Sequence, residues 1–265
     1  MTRRLCLVTG ASAGIGAAFA NVYASHGYDV FLTARRTDRL EILAAQIRMR
    51  FGVEAYVVAA DLAEPGAVDQ ILAAVAAEGR DVDALVNNAG YGLPGAYVDT
   101  SWEQQQAFLQ VMTVAPAELA HKVLPGMLER RFGRIVNVAS LAGIAPGSAA
   151  HTLYGAVKSL LIKFSQSLHM ETRGKGVHVS ALCPGFTWSE FHDVNGTRER
   201  ANSLPAWLWL GADEVAQIGY EAAEANRPVS VPGAPNKAIA ALVKTLPDDW
   251  ALALMAGQSH RFRQA

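Results

Sequence analysis

The feature that most limits the fold is the regular exchange of short apolar runs with longer segments of helical period. Strand-like runs occur at Leu5–Val8, Asp29–Thr33, Ala55–Ala59, Ala84–Val86, Arg134–Val138, His178–Leu182 and Val229–Val231. Helix-period segments lie between most of them. One starts at Gly14, one runs from Asp38 to Arg50 and one begins at Pro65. A long one covers Trp102 to Arg131, another runs from Tyr154 to Arg173, and one starts at Asp213. Strands apolar along their whole length, each followed by a helix, call for a parallel sheet with helices on both faces. The expected class is α/β, a doubly wound and mostly parallel sheet of seven strands. Asp38 with Glu41 reads as a capping box, and Pro65 stands where a first helical residue would.

No internal repeat or linker divides the 265 residues, so 1–265 is expected to be a single domain, with a polar tail from Gln258 and a C-terminal extension at about 234–265. A formal net charge of -1 offers no basic surface for nucleic acid and no polybasic segment for a membrane. Cys6 and Cys183 both lie in strand-like runs and give neither a disulfide framework nor a zinc spacing. No His, Cys, Asp or Glu cluster has metal-ligand spacing. The apolar run after Met-Thr-Arg-Arg is only four residues long and reads as a first strand rather than a signal segment, so the expected location is cytoplasmic.

Thr9-Gly10-Ala11-Ser12-Ala13-Gly14-Ile15-Gly16 follows the first strand and opens the first helix. Glycine allows a tight turn and lets a diphosphate approach the backbone. The helix N-terminus then offers unpaired N–H groups at the positive end of its dipole. Its spacing is Gly-x-x-x-Gly-x-Gly rather than the more familiar Gly-x-Gly-x-x-Gly. Gly10 to Gly14 also fits Gly-x-Ser-x-Gly, the elbow that presents a nucleophilic serine in hydrolases. Only one strand precedes Ser12, where that elbow needs several, so a serine hydrolase is a remote alternative. At the end of the second strand a carboxylate would take the ribose 2′-hydroxyl of NAD. The chain instead has Arg35 and Arg36, whose forked, charged donors suit a 2′-phosphate and so NADP(H). The plainer reading is that they solubilise a loop.

Farther along stand Asn87-Asn88-Ala89-Gly90, a strand ending in Ser140, Tyr154 with Lys158, and Pro184-Gly185. Tyr154 and Lys158 are four apart and share a helix face. A positive charge near the phenol, together with oxidised nicotinamide, is expected to lower its pKa toward working range. Ser140 is placed to hold a substrate oxygen while charge develops on it.

In this order and spacing the motifs resemble those of the short-chain dehydrogenase/reductase family, over residues 5 to about 233. The family's dinucleotide loop matches Gly10, Gly14 and Gly16, and its Asn-Asn-Ala-Gly element matches Asn87 to Gly90. Its catalytic serine, tyrosine and lysine fall on Ser140, Tyr154 and Lys158. The resemblance implies a Rossmann-type fold and hydride transfer between NADP(H) and a carbonyl or secondary alcohol, with Tyr154 as general acid/base. It implies that Asp61, with Leu62, contacts adenine, that Asn88, Ala89 and Gly90 line the cofactor, and that Lys158 also binds the nicotinamide ribose. Pro184, Gly185 and Thr187 would hold the nicotinamide end, with Ser12 and Ile15 part of the phosphate loop. A homodimer or homotetramer formed through the helices at 102–131 and after Tyr154 is implied as well, although a monomer would bury similar residues against the sheet.

One position departs from the pattern. The family usually has an asparagine twelve residues before the Leu-Pro of the long helix, anchoring a water behind the lysine. Here that position is Met112, and a thioether is a weak acceptor that cannot donate. Either the water takes another partner, or turnover is slow, or the register is displaced.

Ligands of open α/β sheets bind beyond the carboxyl ends of the strands. Tyr91–Tyr97, Leu141–His151 and the stretch after Pro184 arrive there. Phe186, Trp188, Phe191, Trp207, Leu208 and Trp209 in that stretch suggest an apolar small-molecule pocket under a lid at about 186–211. For Trp207 and Trp209 a place in the core or at a subunit contact is an equal alternative, and for His151 a structural role is the default. A function of another class also stands: an NADP-binding sensor or scaffold with weak catalysis, to which Met112 alone points.

Overall fold

The computed structural model describes residues 3–253 apart from 94, 150–151 and 191–204. His151, Phe191, most of the expected lid and the tail from 258 therefore lie outside the described residues.

Five strand–helix steps and a sixth strand come first: β1 (Leu5–Thr9), α1 (Gly14–Ser25), β2 (Asp29–Ala34), α2 (Thr37–Phe51), β3 (Ala55–Ala59), α3 (Ala67–Ala77), β4 (Ala84–Asn87), α4 (Trp102–Leu109), α5 (Ala115–Glu129), β5 (Gly133–Val138), α6 (Thr152–Glu171) and β6 (Val177–Leu182). A short parallel pair, β7 (Thr187–Trp188) with β8 (Leu210–Gly211), precedes α7 (Ala212–Glu224), β9 (Val229–Ser230) and α8 (Ala234–Thr245). Seven strands join in the order β3-β2-β1-β4-β5-β6-β9, every pair parallel. This is the doubly wound sheet that the sequence leads one to expect.

Each strand serves two cores because successive side chains point to opposite faces. In β1, Cys6 and Val8 join Phe19, Tyr23 and Leu40 on the α1–α2–α7 side. Leu5 and Leu7 join Ile71, Met127 and Val157 on the other. Both cysteines are buried free thiols. Among the described residues no helix is long and apolar enough to cross a membrane.

Three local expectations are corrected. Arg36, not Asp38, stands at the N-cap of α2 and makes no side-chain cap bond; Asp38 lies in the first turn, where it acts on the helix dipole. Helix α3 starts at Ala67, because Gly66 holds a left-handed turn (φ 79°) after Pro65. The long segment from Trp102 is not one uniform α-helix: a π-helical turn, Gln110–Val114, separates α4 from α5. Pro116 has no N–H to offer the carbonyl of residue 112, so the regular ladder cannot pass through this point.

Helix α1, which carries the glycine loop at its start, is held from behind by α7. A Cβ on Gly219 would lie 2.5 Å from the Phe19 ring and 2.9 Å from Leu182. Gly219→Ala should therefore lower stability by about 1–2 kcal/mol, overpacking outweighing the gain in helix propensity. The check is urea denaturation, where a midpoint at or above wild type would show that Phe19 repacks freely.

Candidate active site

Strand order reverses between β1 and β4, and the crevice at their carboxyl ends is where the conspicuous motifs meet. Thr9 Oγ1 accepts the N–H groups of Asn88 and Ala89, each at 3.0 Å. In return Asn88 Nδ2 donates to the carbonyls of Thr9 (2.9 Å) and Gly10 (3.3 Å). The Asn88 side chain thus braces the glycine loop. Close approach explains two of the glycines. Gly10 has φ 65° and would press a Cβ to 2.8 Å from Ala89 Cα, and a Cβ on Gly16 would overlap the Gly10 carbonyl. Ala13 caps α1 without a side-chain bond, and no acidic residue lies in its first turn. The terminal N–H groups and the dipole are therefore open to an anion, which fits a diphosphate.

The two arginines diverge. Arg36 donates from Nε (3.2 Å) and Nη2 (3.0 Å) to Ser12 Oγ, which places its guanidinium on the glycine loop. Arg35 turns to Asp61, Nη1 to Oδ2 3.8 Å, while Asp61 Oδ1 accepts the Ala63 N–H at 3.0 Å. Leu62 is buried beside them. The Ser12 hydroxyl oxygen faces cationic donors, an arrangement unlike that of a nucleophile activated by a base. Arg36 also donates from Nη1 to Glu190 Oε2 (2.9 Å). Arg39 donates to both Glu190 oxygens, at 2.6 and 2.7 Å. Arg39 and Glu190 were not among the expected site residues. Arg39 was within reach of sequence reasoning, one helical turn after Arg36, whereas Glu190 is distant in sequence and only folding brings it near.

At the end of β5 the expected trio meets. Ser140 has extended backbone (φ -167°), its Oγ accepts the Ala142 N–H at 3.1 Å, and its side chain hydrogen-bonds Tyr154. Lys158 is buried, with Nζ donating to the Val138 carbonyl at 2.7 Å and lying 5.7 Å from the centre of the Tyr154 ring. A buried chain of amides fixes α6 to the sheet. Asn87 Nδ2 donates to Asn137 Oδ1 (2.8 Å), Asn137 Nδ2 to Ser165 Oγ (2.8 Å), and Ser165 Oγ to the Leu161 carbonyl (2.7 Å).

The expected acidity of the phenol is corrected for the protein alone. Burial pushes Tyr154 up to about 12, against the opposing effect of the Ser140 hydrogen bond. Burial also pushes Lys158 down to about 8. Withdrawal from water disfavours phenolate and ammonium alike. Cys183, beside Lys158, is pushed up to about 12 by burial and is no nucleophile.

The nicotinamide-end expectation is refined. Thr187 is buried in β7, its hydroxyl donating to the Gly185 carbonyl at 3.2 Å. Ser189 lies over the loop: a Cβ on Gly14 would be 2.9 Å from Ser189 Cβ. Met112 is buried in the π-helical turn, its sulfur 2.8 Å from where Gly90 would carry a Cβ. It lines a small internal cavity with Asn87, whose Oδ1 has no hydrogen-bond partner among the described residues. Trp209 is a packing residue, buried and stacked on Trp188 at 4.1 Å, while Trp207 is exposed. Beside Tyr154 a recess of mixed character is lined by Leu93, Tyr97, Phe108 and Leu153 together with Gln105 and Thr152.

Residues 4–199 match the short chain dehydrogenase family. Serine 3-dehydrogenase of Agrobacterium fabrum is 31% identical over 229 residues, 85% of this chain and 90% of that protein. The structure of a 7beta-hydroxysteroid dehydrogenase superposes with a TM-score of 0.85 at 28% identity, covering 95% of this chain and 96% of that one. A short-chain dehydrogenase from Sphingobium yanoikuyae, solved in complex with NADPH, gives a TM-score of 0.80 at 30% identity over 92% of this chain and 96% of that one. Shared sequence over most of the chain and shared architecture over nearly all of it lead to one conclusion: the protein belongs to the short-chain dehydrogenase family of oxidoreductases.

Proposed function

We propose that the protein is an NADP(H)-dependent carbonyl reductase, or secondary-alcohol dehydrogenase in reverse, acting on a substrate with apolar flanks. The observation that carries this reading is the meeting of Ser140, Tyr154 and Lys158 at the crevice mouth, beside the recess lined by Leu93, Tyr97, Gln105 and Phe108. The NADPH complex of the Sphingobium relative supports the choice of cofactor. Gly10, Gly14, Ile15 and Gly16 with the α1 amides would hold the diphosphate, and Ser12 with Arg36 the 2′-phosphate. Arg35, Asp61 and Leu62 would border the adenine, and Asn88, Ala89, Gly90, Pro184, Gly185 and Thr187 the remainder. Bound NADP(H) supplies the hydride.

The chain's own residues supply the proton and the grip on oxygen. Ser140 Oγ and the Tyr154 hydroxyl lie within hydrogen-bond distance of each other, so both can face one carbonyl oxygen. Tyr154 gives its proton to the oxygen as it becomes an alkoxide. Lys158, on the same helix face, then stabilises the phenolate. A phenol pushed up to about 12 is protonated at neutral pH. Reduction therefore finds its donor ready, and alcohol oxidation should accelerate as pH rises. The buried, apolar setting of Met112 is the one feature favouring a sensor, and the assembled trio weighs against it.

Tyr154→Phe should lower turnover at least about 10²-fold while NADPH still binds. NADPH absorbance over a panel of ketones measures the first and NADPH fluorescence the second. Undiminished turnover would remove Tyr154 from the mechanism, and a wild-type enzyme that binds NADPH but oxidises it with no ketone would favour the sensor.

Lys158 carries a stability cost with a definite pH window. Its folded pKa lies below the ordinary 10.5, so folding disfavours its charge: the cost is full below about 8 and gone above 10.5. Lys158→Met should thus abolish reduction yet raise stability at pH 7 by about 1–2 kcal/mol, after the Val138 carbonyl loses its donor. Thermal melts at pH 7 and 10.5 test this, and a gain that persists at the higher pH would assign it to packing instead.

Met112→Asn should leave kcat equal or raised, the new amide standing near Asn87 Oδ1, with stability lower by about 1–3 kcal/mol. A large fall in kcat with the fold intact would give the thioether a role of its own.

A further inference from the structure

Arg36 rests on the glycine loop, and a single carboxylate takes both it and Arg39. Glu190 uses its two oxygens on the pair, Oε2 receiving Arg36 and Oε1 and Oε2 receiving Arg39, at 2.6–2.9 Å. Arg36 is held on Ser12 at the same time, so the carboxylate sits at the loop itself. Ser189, the preceding residue, is in contact range of Gly14, which fixes the backbone that delivers Glu190. The two arginines keep the carboxyl below the ordinary carboxylate range, and it is ionised at neutral pH. A planar anion shared by two guanidinium forks satisfies the donors that a phosphate would use.

We propose that Glu190 is an internal competitor of the cofactor's 2′-phosphate, a specificity-determining residue that occupies Arg36 and Arg39 and narrows the preference for NADP(H) over NAD(H). This rests on the reading that Arg36 and Ser12 form the 2′-phosphate site. A phosphate arriving there displaces the carboxylate, since two anions cannot share the same forks. A dinucleotide with a bare 2′-hydroxyl leaves the ion pairs intact and meets arginines already neutralised. Discrimination is a difference of two affinities, and Glu190 acts on only one of them. Arg39 enters as a second cation for the phosphate once the carboxylate has left.

The experiment is titration calorimetry of the whole protein with 2′,5′-ADP and with 5′-AMP, which differ only in the 2′-phosphate. Glu190→Gln and Glu190→Ala should each tighten 2′,5′-ADP by about three- to tenfold and leave 5′-AMP within about twofold. Arg36→Ala should weaken 2′,5′-ADP about tenfold or more without changing 5′-AMP. Thermal melts show that each variant is folded. If Arg36→Ala weakens 2′,5′-ADP while both Glu190 variants leave it unchanged or weaker, the competition is overturned and the phosphate site stands. If Arg36→Ala has no effect on 2′,5′-ADP, the phosphate site falls and the competition with it.

Discussion

Thr9 is the hinge pin of the cofactor crevice. Its hydroxyl oxygen takes two backbone N–H groups from the neighbouring chain segment, and the amide of Asn88 returns two bonds to the carbonyls of Thr9 and Gly10. These four hydrogen bonds join the ends of β1 and β4 where the strand order reverses. The glycine loop owes its shape to this junction as much as to its own residues. Gly10 and Gly16 are glycines because the Asn88 amide and the loop carbonyl fill the space a side chain would need. A crevice braced this way keeps its form before any ligand arrives, which limits the ordering that binding must accomplish.

The same economy appears around Tyr154 and Lys158, with the opposite energetic sign. Asn87, Asn137 and Ser165 form a buried polar strut that holds α6 against β5, and every link is short. What it holds in place is unfavourable: an amine and a phenol withdrawn from water. Stabilising hydrogen bonds beside this pair offset the cost of burying it, a division of labour common where side chains are held in perturbed states.

Much of this could be read from the chain. The alternation of strands and helices pointed to the sheet, and Gly10, Ser140, Tyr154 and Lys158 were found by order and spacing because each sits at a strand end or on one helix face. What escaped reading has physical reasons. The break at Gln110–Val114 comes from one missing N–H at Pro116, which hydrophobic periodicity does not register. The raised phenol pKa depends on desolvation, which neighbours in sequence do not reveal. Asp38 looked like a cap, but the turn begins sooner than its pattern suggests. Glu190 lies beyond any local pattern from the arginines it meets, and Ser189 reaches Gly14 only because β7 pairs with β8.

The span matched to the family as a whole, residues 4–199, ends before the residues that lay the floor of the Pro184-Gly185 turn. Asn236, at the start of α8, is buried with its amide bonded to the Pro232 carbonyl, and its side chain lies where Gly185 would carry a Cβ. Strand β9 closes the sheet edge immediately before it. A protein trimmed at residue 199 would retain every signature residue and lose the base on which one of them rests. The support of the Pro184-Gly185 turn thus lies outside the matched span, and a boundary drawn at residue 199 would cut it away.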